Sequence, residues 1–220
     1  MSVRLAVFDC DGTLVDGQAE VCAAMGDAFA AAGLPPPPHQ ATRRAIGLSL
    51  PEAMRRLHPS GGEAARAALC DAYRSAFRAR REAGFVQEPL FEGIAALLDA
   101  LREAGWLLGV ATGKSYRGLA HCLAGHGLDR HFVTLQTADR HPSKPHPAML
   151  EAALAETGVA AADCAMIGDT AYDIAMGRAA GTRVLGVGWG YHDTGELLAA
   201  GAEAVAASPD ELLAHLEAIR

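Results

Sequence analysis

From residue 87 onward the sequence alternates short apolar runs with helix-period patterns, and this alternation constrains the architecture more than any other feature. The segment "GIAALLDALREAG" places Ile94, Leu97, Leu98 and Leu101 on one helical face, and Gly105 suits the helix end. "WLLGVAT" (106–112) then reads as a strand. A helix near 115–125 leads into "HFVTLQTAD", one near 146–157 into "CAMIGD", and one near 171–180 ends at Gly181 before "RVLGVG". A last strand within "AEAVAAS" precedes a helix at 209–219. Near the N-terminus, Val3, Leu5, Val7 and Phe8 form a further apolar run, inside which "AVFDCDGTLVD" begins. Strands separated by helices make βαβ units, whose parallel sheet is covered on both faces. The expected fold class is therefore α/β, a doubly wound parallel sheet.

Residues 17–85 break the pattern. They carry helical periodicity over about 17–32, 49–58 and 63–83, with no strand between. "PPPP" at 35–38 reads as a stiff loop separating the first helix from the next. On the third helix Leu69, Tyr73, Ala76, Phe77 and Arg80 share a face, with Arg66, Arg74, Arg78 and Arg81 largely outside it. The predicted organisation is an α/β core from 1–15 and 87–220, with an all-helical insert at 16–86 over the sheet edge.

Half of the 220 residues are hydrophobic and a fifth are charged, enough for a sizeable core. The formal net charge of −7 offers no general basic surface for a phosphate backbone, so nucleic acid is not an expected partner. The five cysteines (Cys10, Cys22, Cys70, Cys122 and Cys164) are scattered and never paired as Cys-x-x-Cys, which argues against a disulfide framework or a zinc site. The first residues reach Asp9 too soon for a secretory signal, and no apolar run approaches the roughly 20 residues of a membrane span. The expectation is a soluble, cytoplasmic protein, a monomer or homodimer.

Ligands of open parallel sheets bind beyond the carboxyl ends of the strands. Polar residues are delivered there four times: Asp9 and Asp11 after the first strand, Thr112 and Gly113 in "ATGKS", Lys144 in "SKPHP", and Asp169 and Asp173 in "IGDTAYD". Asp9 and Asp11 share a face of an extended strand, and Gly12 permits a sharp turn that brings the residue 11 carbonyl toward the same point. Asp169 and Asp173, four apart at a strand-to-helix junction, can also share a face. Two like charges 4 Å apart repel by about 4 kcal/mol at an effective dielectric of 20. Four converging acids would cost several times that, against a total stability of roughly 5–15 kcal/mol. Oxygen ligands without His or Cys favour Mg²⁺ as the compensating cation.

This order and spacing resembles the haloacid dehalogenase-like superfamily of aspartate-nucleophile phosphatases. The matching residues are Asp9-Cys10-Asp11-Gly12-Thr13, Thr112, Lys144, and Gly168-Asp169 with Asp173. An insert after the first motif and the string "KPHPAML" are similar to the phosphoglycolate-phosphatase-like branch, which implies that 16–86 is a helical cap domain. The resemblance implies a Mg²⁺-dependent hydrolase of a small phosphorylated metabolite, working through an aspartyl-phosphate on Asp9. Asp11 would be the acid and base for leaving group and water. Thr112, the Gly113 amide and Lys144 would bind the phosphoryl oxygens. Mg²⁺ would lie between the Asp9 carboxylate, the Asp11 carbonyl and the Asp169 carboxylate, with Asp173 behind them, through water or by orienting Lys144.

Single residues also have plainer meanings. Asp11-Gly12 is a common turn pair, Asp169 suits a helix N-cap, and Lys144 before proline suits a solvated loop. Lys114 is open between a reach to substrate phosphate and a surface position. His141 and His146 lack metal spacing and read as loop-structuring. Gly47 and Ser49 fall where the branch presents a substrate-contacting loop, although Ser49 also reads as a helix cap before Pro51. Arg43 and Arg44 are open between an anionic substrate tail and exposed cap positions. The rival functions are a β-phosphoglucomutase-like sugar phosphomutase, which would want an arginine that "GLSLPE" lacks; a dehalogenase, which would lack the second acid; a phospho-accepting regulatory module; and a family member that only binds.

Overall fold

In the computed structural model, which describes residues 3–218, the apolar runs become six strands. They are β1 (Arg4–Phe8), β2 (Trp106–Thr112), β3 (Thr134–Thr137), β4 (Cys164–Gly168), β5 (Arg183–Val187) and β6 (Ala204–Ala206). All neighbours pair in parallel, in the order β3-β2-β1-β4-β5-β6. Phe8 sits opposite Val110 on one side and Ile167 on the other, so the carboxyl ends of the three central strands lie side by side. The chain winds outward from β1 to β3, then returns to lay β4 against the opposite edge of β1. That reversal opens a crevice between the ends of β1 and β4.

Between β1 and β2 run the helices α1 (Gln18–Ala31), α2 (His39–Arg43), α3 (Leu50–Leu57) and α4 (Glu63–Glu82). Met25 and Phe29 of α1, Met54 of α3, and Leu69 and Cys70 of α4 are buried together in a cluster of their own. Arg80 of α4 adds an ion pair to Glu20 of α1 at 3.0 Å. The expected helices appear within a residue or two. The five-residue α2 was not anticipated, because fewer than two turns give too short a window for periodicity.

The remaining helices are α5 (Ile94–Glu103), α6 (Tyr116–Gly125), α7 (Ala148–Thr157), α8 (Ala171–Ala179), α9 (Thr194–Ala200) and α10 (Pro209–Glu217). The period-2 alternation of β1 sorts them into two layers. Ala6 and Phe8 pack with Leu98, Leu119 and Leu212, from α5, α6 and α10. Leu5 and Val7 pack with Leu150, Ile174 and Leu197, from α7, α8 and α9. The doubly wound sheet is thus observed. The seven-residue α9 was missed for the same reason as α2, and residue 219 of the expected last helix lies outside the described residues. No helix among the described residues is long and apolar enough to cross a membrane.

Candidate active site

Asp9 leaves the end of β1 fully buried, its amide bonded to the Ile167 carbonyl of β4 at 2.9 Å. Lys144, also buried, reaches in from the loop before α7. Its Nζ lies 2.8 Å from Asp9 Oδ1 and 2.6 Å from Asp173 Oδ1. Asp173 Oδ2 accepts from the Thr170 amide at 3.0 Å and the Thr170 hydroxyl at 2.6 Å, closing a capping box at the start of α8. Thr170, not Asp169, is therefore the cap. Asp169 instead accepts from the Thr13 hydroxyl at 3.0 Å and the Tyr191 amide at 2.8 Å. Gly12, at φ +88°, lies so close that a Cβ there would meet the Asp169 carboxylate at 2.2 Å.

Carboxylate oxygens of Asp9, Asp169 and Asp173 come within 4.8 Å of one another. Three acids against the single Lys144 ammonium leave two negative charges in a site closed to water. Burial, with Asp173 and Asp11 adding to it and Lys144 opposing it, pushes Asp9 up to about 7. Burial and the charges of Asp173 and Asp9 drive Asp169 well above the usual carboxylate range. Burial works against the charge on Lys144, but Asp173 and Asp9 more than offset it and hold the ammonium protonated. Asp9 Oδ2, buried, accepts no hydrogen bond. A divalent cation fits this donor set, since it would take up that oxygen and cancel the residual charge.

The Asp11 side chain does not join the cluster. Its Oδ1 lies 2.9 Å from Lys114 Nζ, and Lys114 also pairs with Glu88 Oε1 at 2.5 Å. Lys114 is therefore neither a surface lysine nor pointed at the nucleophile; it is a buried bridge between two acids. Burial raises Asp11 above the ordinary range, Lys114 opposing and Glu88 assisting. Glu88 lies on the return from α4 to the sheet, and Arg81 of α4 approaches it at 4.0 Å. Nothing in "GFVQEPL" marks Glu88 in the sequence; only the fold brings it to Asp11.

Thr112 ends β2, buried, its hydroxyl accepting from the Lys114 amide at 3.2 Å. Gly113 is roofed by the insert: a Cβ on it would meet the backbone oxygens of Leu48 at 2.5 Å and Gly47 at 2.7 Å. The next residue, Ser49, donates its amide to Ser143 Oγ at 2.8 Å, and its side chain makes no capping bond although it occupies the N-cap position of α3. The loop carrying Gly47 and Ser49 thus packs on the strand ends. Arg43 and Arg44 fit neither anticipated role. Arg43 donates to the Gly190 carbonyl at 2.9 Å and Arg44 pairs with Glu196 at 2.7 Å, so both fasten α2 to the loop and helix after β5. That loop, unremarked in the sequence, supplies Tyr191, whose hydroxyl lies 3.2 Å from both Asp16 Oδ1 and the Gly17 amide. His141 and His146 do structure loops, on Gln136 at 2.7 Å and the Ala148 amide at 3.2 Å.

Between the insert and the strand ends lies a cavity of about 960 Å³. Asp11, Gly113 and Lys114 line its floor, while Asp9, Lys144 and Asp169 do not border it. Arg74, Arg78 and Arg81, read as lying largely outside the apolar face of α4, line it as well, with Arg74 and Arg78 exposed.

Over residues 3–181 the sequence matches the family described as haloacid dehalogenase-like hydrolase. The chain belongs to that family. It is 34% identical to a "Probable phosphatase IndB" of Dickeya dadantii, over 98% of this chain and 94% of that protein. It is 33% identical to a phosphoglycolate phosphatase of Cupriavidus necator, over 97% and 93%. A tyrosine-protein kinase PtkA of Mycobacterium tuberculosis is 32% identical over 86% of this chain and 64% of its own length. Among solved structures, a hydrolase from Pseudomonas syringae superposes with a TM-score of 0.85 at 26% identity, covering 97% of this chain and 98% of that one. On a parallel sheet of the expected class, Asp9, Lys144, Asp169 and Asp173 come together, while Asp11 and Gly113 face the neighbouring cavity.

Proposed function

We propose that the chain is a phosphomonoester hydrolase for a small phosphorylated metabolite, phosphoglycolate-like by branch, in which Asp9 is the nucleophile. The single observation that carries this reading is the state of the Asp9 carboxylate. One oxygen is held by Lys144, and the other is buried and accepts no hydrogen bond. A buried carboxylate oxygen left without a donor is costly unless it has work to do.

Asp9 Oδ2 attacks phosphorus, an oxygen–phosphorus bond forms, and the bond to the leaving oxygen breaks as Asp11 gives that oxygen a proton. Water then attacks the aspartyl-phosphate, Asp11 takes the proton, and Asp9 is released with phosphate. Asp11 is suited to both steps because it faces the cavity where the leaving group would sit. Thr112, the Gly113 amide and Lys144 are assigned to the phosphoryl oxygens. Asp173 orients Lys144. Asp9, the Asp11 carbonyl and Asp169 are assigned to hold Mg²⁺, which when bound supplies charge neutralisation for the phosphoryl group. Residues 16–86 act as a cap that excludes water over a core of 1–15 and 87–220, a division supported by the separate apolar cluster of the insert helices. A cytoplasmic setting accords with five free cysteines.

The test is multiple-turnover phosphate release from phosphoglycolate and generic esters with Mg²⁺. Chelation and Asp9→Asn should each abolish it; release that survives either one contradicts the reading.

A further inference from the structure

The cavity over Asp11 is lined by basic side chains from two directions. On α4, Arg74, Arg78 and Arg81 recur at intervals of four and three and so share one helix face; on α6, Arg117 and His121 are likewise four apart. Arg78 and Arg117 have no ion pair or hydrogen bond among the described residues. Arg81 Nε is buried without an acceptor, while its guanidinium lies over the Phe77 ring at 5.2 Å. Two of the three acids in the lining are already occupied. Asp11 holds Lys114, and Asp139 accepts from the Tyr116 amide and the Thr137 hydroxyl. Arg74 pairs with Asp71 at 2.7 Å and Arg81 approaches Glu88 at 4.0 Å, so among the described residues the unpaired charges of the lining are Arg78 and Arg117 against Glu82.

Apolar side chains, Val21, Met25, Ile46 and Leu50 beside the Tyr73 and Phe77 rings, share the rest of the wall with the polar Thr42, Ser49 and Ser115. The cavity borders Asp11 but not Asp9, so it opens on the side from which the leaving group departs. Its volume, about 960 Å³, is at the upper end of small-molecule sites, roughly 300–1,000 Å³, and a two-carbon acid would leave most of it empty.

We propose that the leaving group of the preferred substrate carries a second anion, a carboxylate or phosphate, on a body larger than glycolate, and that Arg78, Arg81 and Arg117 clamp that anion. This rests on the phosphomonoesterase reading and narrows its substrate class. Guanidinium groups suit the task because they bind either anion through paired donors. Because α4 belongs to the insert and α6 to the sheet layers, an anion held by both also fastens the insert over the site.

The experiment compares phenyl phosphate, 4-carboxyphenyl phosphate and 1,4-phenylene bisphosphate with Mg²⁺, in wild type and in Arg78→Met, Arg117→Met, the double variant and Arg78→Lys. At least one charged ester should exceed phenyl phosphate by about tenfold in kcat/KM, mainly through KM. Which one does so separates carboxylate from phosphate recognition. The ratio should fall several-fold in each methionine variant, approach one in the double variant, and survive in part in Arg78→Lys. Equal use of all three esters, or a ratio the arginine variants leave intact, overturns the clamp while hydrolysis itself stands. No phosphate from these esters or from phosphoglycolate overturns the hydrolase reading, and the clamp with it.

Discussion

Lys114 Nζ stands 2.9 Å from Asp11 Oδ1, so the acid assigned to proton transfer is paired before any substrate arrives. The same ammonium holds Glu88, and all three side chains are at most a tenth exposed. Removing the lysine alone would strand two buried carboxylates side by side.

Lys114→Met is therefore expected to cost roughly 3–5 kcal/mol in chemical denaturation, as for one partner removed from a buried ion pair. Lys114→Met combined with Glu88→Gln removes one of the stranded charges and should cost less than the single change. A double variant at the sum of the single losses would mean the three groups act independently.

Gly113→Ala tests how closely the insert sits on the strand ends. The added Cβ would meet backbone oxygens of Gly47 and Leu48, which cannot rotate aside as a side chain can. The loop over Gly113 would have to lift, and displacing a positioning loop by about 1 Å costs on the order of 100-fold in kcat/KM. Steady-state kinetics check this; a variant within threefold of wild type would place the loop elsewhere during turnover.

The raised Asp9 carboxyl has a thermodynamic consequence. A free aspartate titrates near 3.8 and Asp9 at about 7, so between those values the folded chain keeps a proton that the unfolded chain releases. Stability from this group is full below 3.8, falls as pH rises, and is gone above about 7. With chelator present, the loss in unfolding midpoint between about pH 5 and pH 8 should be larger for wild type than for Asp9→Asn. Burial lowers His192, which contributes a slope of opposite sign, but that is common to both proteins and drops out of the difference. Mg²⁺ should raise the wild-type midpoint more at the higher pH, where no proton competes for the carboxylate. Parallel profiles for the two proteins would contradict the assignment.

Much of this site was readable from the chain because its parts are local. Asp9 and Asp169 each directly follow a strand, Lys144 lies in the loop between β3 and α7, and Asp173 is in the first turn of α8, all on the side where the α/β pattern opens the crevice. The Asp9-to-Asp11 spacing was read as bringing both carboxylates together, yet the Asp11 side chain turns away once Lys114 and Glu88 are in reach. Glu88 and Tyr191 carry no motif and become site neighbours only through the return from α4 and the loop after β5. Arg43 and Arg44 looked free because their partners, Gly190 and Glu196, are about 150 residues away. Periodicity sorted the α4 arginines outside the apolar face correctly, but it could not tell a cavity wall from open solvent.

The most direct measurement is to trap the intermediate. In a single turnover with Mg²⁺, acid quench and borohydride reduction convert an acyl-phosphate aspartate to homoserine, which peptide mass spectrometry locates. Homoserine is expected at position 9 in wild type, at higher occupancy when Asp11→Asn slows attack by water, and at no other aspartate. Phosphate release with Asp9 unmodified, or the product at Asp11, Asp169 or Asp173, would contradict the account.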